Sequence, residues 1–108
     1  MKYLILNIFV VAALAAAPGK QTFTGIVTDD NCPRADHSQM QMGPTDAECA
    51  RACMSSHGAV LGLYDGKKFY TLNDQRTPDG FIGKKVKVIG ELDPKTMTIH
   101  MDSIAAAK

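Results

Sequence analysis

The sequence predicts a mainly β fold of the α+β class, a small five-stranded barrel with one helix inserted between strands 1 and 2. Two observations lead to this prediction. Five short segments of alternating or β-branched apolar residues are separated by Gly, Pro, Asp and Asn, which is typical of consecutive β-strands. A single stretch between the first two segments has helix-capping residues at both ends. A chain of 108 residues is long enough for one such domain.

The first strand and the helix are marked by local signals. Residues 21–29 are rich in β-branched side chains and are predicted to form the first strand. Residues 30–44 change to polar residues, Gly and Pro without periodicity, which predicts a loop. A helix is predicted over 46–57, because Thr45 and Glu48 have the spacing of a capping box. The residue directly after this stretch is a glycine, which suits a left-handed C-terminal cap.

The other four strands are separated by turn signals. They are predicted over residues 59–64, 67–72, 84–92 and 96–104. Asp65-Gly66 predicts a two-residue hairpin turn between the second and third strands. Residues 73–83 are predicted to connect the third and fourth strands, with one helical turn near Phe81. In the last strand, the alternation places the methionines on the core face and His100 on the surface.

The N-terminal segment has the form of a secretory signal peptide. A short positive start, Met1-Lys2, precedes a nearly continuous apolar run that ends in alanines. The run is shorter than the roughly 20 residues of a membrane span. The prediction is therefore a signal peptide over 1–17 and a single domain over 21–104, exported to the periplasm or outside the cell without a membrane anchor. An uncleaved anchor helix is the alternative.

The charge balance does not favour a nucleic-acid partner. The chain has 12 Lys and Arg against 11 Asp and Glu, and loss of Lys2 with the signal peptide makes the two counts equal. Binding to duplex nucleic acid usually needs a basic face. Five lysines of the second half are interpreted as solvated strand positions. No Ser/His/Asp order, glycine-rich phosphate loop or close carboxylate pair stands out, which predicts a protein that is not an enzyme.

The insert over 30–58 concentrates side chains that bind soft or borderline metals. On the predicted helix, Cys49, Cys53 and His57 share one face, because positions i and i+4 are neighbours on a helix surface. Thiolates, imidazoles and thioethers are the ligands with which proteins hold zinc or copper. The candidate metal ligands are Cys32, His37, Met40, Met42, Cys49, Cys53 and His57.

Two metals fit these donors. Zinc suits a tetrahedral set in which Cys32 or His37 of the loop joins the helix donors. Cu(I) suits a sulfur-rich set in which Met40 and Met42 supply thioethers. The predicted function is therefore a non-enzymatic, exported protein that binds copper or zinc, with the metal ion as its partner. The sequence leaves any protein partner open.

A structural disulfide is the alternative interpretation. In an oxidising compartment cysteines usually pair, and Cys32 bonded to Cys49 or Cys53 would join the long loop to the helix. Closing such a loop of about 20 residues stabilises by about 3 kcal/mol in the chain-entropy model. The protein would then be a disulfide-stapled interaction or ligand-binding module without metal. Redox catalysis is a further possibility, but the chain lacks the Cys-x-x-Cys pair that typifies it.

Two resemblances add to these predictions. The strand spacing resembles an OB-fold, the five-stranded Greek-key barrel, and Gly83–Leu92 with Thr98–Ile104 looks like the closing hairpin of exported bacterial OB-type domains. Over residues 22–104 the chain also resembles a family of small exported bacterial proteins of unknown function. The shared features are an opening like Gly25–Asp29, followed by Cys32, His37, Met40, Met42, Cys49, Cys53 and Gly58. The resemblance implies an OB-like barrel that carries this insert, and it implies no particular activity.

Overall fold

The computed structural model describes residues 19–36 and 43–108. In this part of the chain it has five strands, one α-helix and one 3-10 helix. Helix α1 spans Asp46–His57, and the 3-10 helix spans Thr77–Phe81. The strands are β1 (Gln21–Asp29), β2 (Leu61–Tyr64), β3 (Phe69–Leu72), β4 (Lys85–Asp93) and β5 (Thr98–Ala106). The predicted mainly β class is confirmed, as is the position of the helix between the first two strands.

The five strands form one mixed sheet in the closed order β1-β2-β3-β5-β4, with β4 paired to β1. Each described strand therefore has a neighbour on both sides. All the pairs are antiparallel except β3 with β5, which is parallel and contains only Thr71↔Thr98 and Leu72↔Ile99. The long antiparallel pairs of β1 and β5 with β4 supply most of the ladder that holds the sheet together.

The core lies inside this ring of strands and follows the alternation of the sequence. On β4, Val86 and Val88 are buried, while the alternating positions Lys85, Lys87 and Ile89 are exposed. Met97 and Met101 pack against the core and His100 is exposed, so the predicted faces of the last strand are confirmed. The buried core residues are Phe23, Val27, Ala50, Leu61, Leu63, Tyr70, Leu72, Ile82, Val86, Val88 and Ile99.

Helix α1 begins and ends where the capping residues predict. The Thr45 hydroxyl accepts a hydrogen bond from the Glu48 backbone N–H at 3.1 Å and donates one to the Glu48 carboxylate. At the other end, Gly58 is left-handed with φ of 66°, and its N–H donates to the Cys53 carbonyl. A left-handed C-terminal residue is sterically inexpensive only for glycine. Both helix ends are thus closed by local bonds.

The helix packs on the sheet through small residues. Ala50 is fully buried and belongs to the core, and Ala47 and Met54 pack against its edge. On the exposed side, the Arg51 guanidinium donates to both carboxylate oxygens of Asp79 at 3.1 Å. This bidentate pair joins the helix to the 3-10 helix, although exposed pairs of this kind contribute little stability.

The hairpin between β2 and β3 turns one residue later than predicted. The Asp65 N–H donates to the Lys68 carbonyl, so the two central residues are Gly66 and Lys67 rather than Asp65 and Gly66. Gly66 has a φ of 102°. The Asp65 carboxylate accepts from the backbone N–H groups of Lys67 and Lys68, both at 2.8 Å. Asp65 is therefore the first residue of the turn rather than a central one, and its side chain stabilises the turn by accepting these hydrogen bonds.

None of the helices in residues 19–36 and 43–108 is long and apolar enough to span a membrane. The predicted signal peptide, residues 1–17, lies outside the described residues. The same is true of residues 37–42, the middle of the insert. Predictions that concern these two segments stay predictions.

Candidate functional site

The site begins with a tight turn at the end of β1. The Asp29 carboxylate oxygen Oδ1 accepts from the backbone N–H of Asn31 at 2.9 Å and of Cys32 at 3.0 Å. The Thr28 hydroxyl donates to the Cys32 carbonyl at 2.9 Å. An aspartate that binds the backbone two and three residues ahead forms an Asx turn. The turn fixes Cys32 beside the sheet, where the residue is only 5% exposed.

Helix α1 brings two more thiols to the same place. Cys49 and Cys53 are 1% and 0% exposed and lie one turn apart, and their side chains hydrogen-bond to each other. The Asn31 side chain donates to the Cys53 sulfur. Cys32 is within electrostatic reach of both helix thiols. We call Cys32, Cys49 and Cys53 the cysteine group; it is buried beside the core rather than within it.

A buried carboxylate adjoins the cysteine group. Asp29 is 0% exposed, and its negative charge acts on both Cys32 and Cys53. Oxygen Oδ1 is bound by the turn, whereas Oδ2 is buried without a hydrogen-bond partner among the described residues. Buried polar atoms in folded proteins nearly always have a partner, such as a protein group, a water or an ion. The second oxygen of Asp29 is therefore a polar atom whose partner has to be explained.

Burial and charge keep the thiols of Cys32 and Cys53 protonated. Burial first, then the negative charge of Asp29, raises the pKa of Cys32 from 9.0 to about 11, with Cys49, Cys53 and Asp36 adding to the effect. Burial also raises the pKa of Cys53, an effect that the Asn31 hydrogen bond opposes and the Asp29 charge reinforces. A protonated thiol is a poor nucleophile. At neutral pH these two cysteines are thus poor nucleophiles unless a bound metal ion displaces the proton.

The raised pKa of Cys32 makes stability depend on pH in alkaline solution. The folded-state pKa of about 11 exceeds the ordinary 9.0, so the folded protein holds this proton more tightly than the unfolded chain does. The resulting stability is complete below about pH 9 and is lost as the pH rises through about 11. We expect the free energy of unfolding in urea of the reduced, metal-free protein to fall between pH 9 and about pH 11. The fall should be larger than that of a Cys32→Ala variant over the same range. Equal losses would contradict the prediction.

The structure brings some of the predicted ligands together and not others. Cys32, Cys49 and Cys53 are buried as one group, and each carries a thiol rather than a disulfide. His57 is exposed in the last turn of α1, because the helix face rotates away from the sheet over two turns. His37, Met40 and Met42 lie outside the described residues.

The side chains of the cysteine group interact with one another, but in this conformation they do not form a metal centre. Within residues 19–36 and 43–108, no group of three or more His, Cys, Asp or Glu side chains is arranged so that it could hold a metal ion. Each thiol is carried by a single rotatable bond with three staggered positions. Convergence on one ion would therefore need rotation of these side chains, or a donor from residues 37–42.

Sequence reasoning missed two residues of the site. It assigned no role in the site to Asp29 or to Asn31. The available signal was an aspartate at the end of a predicted strand, three residues before a cysteine, which is the spacing of an Asx turn. Nothing in the local sequence shows that Asp29 is buried, because its burial depends on β2 and α1.

A second candidate site is a hollow on the surface, apart from the cysteine group. Its volume is about 470 Å³, and it lies between β1, the start of β4 and the β2–β3 turn. It has one carboxylate, Asp65, and one ammonium, Lys85, and it contains no thiol or imidazole. The Asp65 carboxylate is already bound by backbone N–H groups, which lower its pKa. The cysteine group therefore remains the stronger candidate site.

Fold and site together define a small, mainly β protein with a cysteine-bearing helical insert between its first two strands. Comparisons of the chain with protein-family models, with curated proteins and with solved structures gave no match.

Proposed function

We propose that this chain is an exported, non-enzymatic protein that binds one copper or zinc ion at the cysteine group. The observation that carries the proposal is the burial of three thiols, one on the turn after β1 and two on α1, which interact electrostatically with one another and with the carboxylate of Asp29. Sulfur donors of this kind match the preferences of thiophilic ions.

The raised pKa values of Cys32 and Cys53 are consistent with a site that is completed by its metal. A metal ion binds the thiolate and displaces the proton, so binding releases protons and depends on pH. In this proposal the thiols rotate toward one centre as the metal ion replaces their protons. The loop donors His37, Met40 and Met42 remain candidates for further ligands, because they lie in the chain between Cys32 and α1.

The ring of strands is proposed to be a barrel of the OB type. Five strands share one closed order, and the connection from β3 to β4 passes β5, as a Greek-key topology requires. The 3-10 helix lies in that connection, the place where an OB-fold usually carries its helix. On this proposal α1 and the rest of the insert are an addition between the first two strands, and the cysteine group belongs to that addition.

Export is part of the proposal because of the apolar segment before residue 18. In an oxidising compartment thiols are exposed to pairing. Burial of the cysteine group, with raised pKa values at Cys32 and Cys53, slows that reaction, since the thiolate is the reactive form. A thiol-based metal site can thus persist where unprotected thiols are oxidised.

The test is metal titration of the full chain purified from an exported fraction under reducing conditions. We expect one zinc or Cu(I) ion per chain by native mass spectrometry, and a loss of affinity of about 100-fold or more in Cys53→Ser. Ser55→Ala, an exposed position on the same helix, serves as the matched control and should bind normally. A wild-type chain that holds no stoichiometric ion would refute the proposal.

Three further variants complete this experiment. Cys49→Ala and Cys53→Ala keep the buried positions apolar, so either can replace Cys53→Ser if the serine variant does not fold. A Met40→Leu, Met42→Leu double variant measures the part of the loop thioethers in Cu(I) binding. Unchanged Cu(I) affinity in that variant would remove both methionines from the site.

A structural disulfide is the second candidate. The observation that favours it is the electrostatic interaction of the buried Cys32 with both helix thiols, together with the lack of an arranged metal centre among the described residues. The protein would then be a disulfide-stapled binding module. Thiol trapping before purification distinguishes metal binding from a structural disulfide. A disulfide from Cys32 in metal-free, exported protein would favour the structural disulfide.

A further inference from the structure

We propose that the first half of β1 is a docking edge for an extended acidic peptide, which adds a strand beside Thr22 and Thr24 and brings a carboxylate to Lys85 at the hollow. The site lies apart from the cysteine group and does not depend on metal binding. It combines three features: a stretch of β1 that is paired on one side only, the hollow next to that stretch, and lysines of β4 that border it.

The first argument is that β2 covers only the second half of β1. β1 pairs with β4 from its first residue up to Ile26, whereas its pairing with β2 begins at Ile26 and runs to Asp29. β2 ends at Tyr64, and the hairpin turn follows. Among the described residues, the stretch 21–25 therefore has a paired strand on one side only.

The ladder shows which backbone groups this edge presents. The Val27 N–H donates to the Lys84 carbonyl at 3.2 Å, and the Val27 carbonyl accepts from the Gly83 N–H at 2.8 Å. Successive residues of an antiparallel strand direct their backbone groups to opposite sides. Thr22 and Thr24 therefore point theirs away from β4, where neither has a backbone hydrogen bond to a described residue. Both threonines are exposed, so a partner can reach these groups.

The second argument is the hollow that adjoins this edge. Its lining includes Thr24 and Gly25 of β1, Tyr64 at the end of β2 and Lys85 at the start of β4. Its volume of about 470 Å³ lies within the range of about 300–1,000 Å³ that ligand pockets occupy. The Tyr64 hydroxyl donates to the Gly66 carbonyl at 2.9 Å, which holds this side chain against the turn. A side chain of an added strand therefore has room beside the unpaired groups of Thr24.

The third argument is the charge around the hollow. Lys85 lines it, and Lys87 lies opposite Thr24 in the register of β1 with β4. Both lysines are exposed, and neither forms an ion pair with a described carboxylate. The Asp65 carboxylate of the hollow accepts from two backbone N–H groups and interacts with the charge of Lys68. An incoming carboxylate would thus meet ammonium groups that have no other ionic partner in the described chain.

These features fit an extended peptide better than a small anion. Alternating unpaired N–H and C=O groups match the backbone of an added strand, as in β-augmentation. Free edges are commonly protected by lysine or proline on the edge strand itself, but the edge residues here are threonines, which favour strand pairing. Neighbouring strands lie about 4.8 Å apart, so a glutamate opposite Thr24 can reach Lys85 or Lys87 across β1.

The test titrates the isotope-labelled full chain, purified from an exported fraction, with a capped hexapeptide in which glutamate alternates with threonine or valine. We expect saturable shifts of the Thr22 and Thr24 amide signals in NMR spectra, and slower hydrogen exchange of these two amides. The amides of Phe23 and Gly25 point toward β4, so their exchange should not change. A matched peptide with lysine in place of glutamate should bind at least about tenfold more weakly.

Two pairs of variants identify the groups that bind the peptide. Thr24→Pro removes an N–H that faces away from β4 and leaves the β4 ladder intact, so affinity should fall about tenfold or more. Thr24→Val keeps this N–H and should bind as the wild type does. Lys85→Glu should weaken binding by a similar factor, less so at high salt. Lys95→Glu, at an exposed turn position, should bind normally.

Four results would contradict the inference. The glutamate peptide fails to bind saturably, or the lysine peptide binds equally well. N-acetylglutamate binds as tightly as the peptide without slowing exchange at Thr24, which would indicate a site for small anions. The free chain is a dimer in which the Thr24 amide is already protected, which would indicate that a second copy covers the edge. The exchange measurement on the wild type remains decisive if Thr24→Pro does not fold.

Discussion

Gly25→Ala will destabilise the fold more than any surface change in this chain. A Cβ atom at Gly25 would lie 2.8 Å from the carbonyl carbon of Tyr64 and closer still to its oxygen. Both atoms belong to the backbone of β2, so no side chain can rotate to make room. Relief requires β1 and β2 to separate where Ile26 pairs with Tyr64, and the free energy of unfolding should fall by about 3 kcal/mol.

Thermal unfolding followed by circular dichroism measures this effect. A loss of that size in a domain of about 90 residues lowers Tm by more than about 10 °C. Gly80→Ala is the matched control, because a Cβ at Gly80 has nothing within 4 Å. The control should unfold within a few degrees of wild type. Similar Tm values for Gly25→Ala and Gly80→Ala would show that the strands do not pack as described.

Gln75→Ala is expected to have the second large effect. The Gln75 amide oxygen accepts from the Leu61 N–H at 2.7 Å, and its nitrogen donates to the carbonyls of Leu61 and Leu72 at 2.9 and 2.7 Å. One side chain thereby satisfies backbone groups of two strands. Leu61 is fully buried and Leu72 nearly so. Unpaired buried groups cost about 1–3 kcal/mol each, and we expect a total loss of about 2–4 kcal/mol.

Urea unfolding of two companion variants tests the cause of that loss. Gln75→Glu keeps an acceptor for the Leu61 N–H but no longer donates, so its stability should fall between those of wild type and Gln75→Ala. Arg76→Ala changes the exposed neighbour, whose own turn bonds come from its backbone N–H, and it should be nearly neutral. Equal stability of all three variants would show that the amide is dispensable.

Local signals were enough to predict the first strand and the helix. α1 has the predicted bounds because the residues that begin and end it act on their own neighbours: the Thr45 hydroxyl on the Glu48 N–H, and the left-handed Gly58 on the Cys53 carbonyl. Helical spacing likewise predicted that Cys49 and Cys53 share one face. These helix features depend on bonds between residues less than six positions apart, whereas β1 has its predicted bounds although its ladder bonds are to the distant β2 and β4.

Features that depend on distant residues were not predictable. β2 begins at Leu61 rather than at 59, because the Val60 N–H is taken by the Asp30 carboxylate. The pairing of β4 with β5 shifts register between Ile89 and Gly90, where β5 contains one extra residue. The alternation of β5 therefore changes face at this point, and Ile104 rather than Ser103 packs on the core. Simple alternation along the last strand cannot anticipate such a bulge.

The same distinction applies to the candidate site. Its helix thiols follow from spacing, and Cys32 follows from its place shortly after the first strand. The burial of Asp29 does not, since Asp29 is enclosed only when β1 pairs with β2, where Asp29 lies opposite Leu61, and α1 packs above. An aspartate at a strand end is ordinarily a solvated turn residue. Its burial here is a tertiary effect.

The closed order of the strands has a consequence for the sequence of events during folding. Cys32 meets the helix thiols by closing a loop of about 20 residues, whereas the pairing of β1 with β4 joins Gln21 to Gly90. Short loops close at a smaller entropic cost and generally earlier. We therefore expect the three thiols to approach one another while they are still open to solvent, before the ring that buries them is complete. An ion or an oxidant would then reach them more easily during folding than in the folded protein.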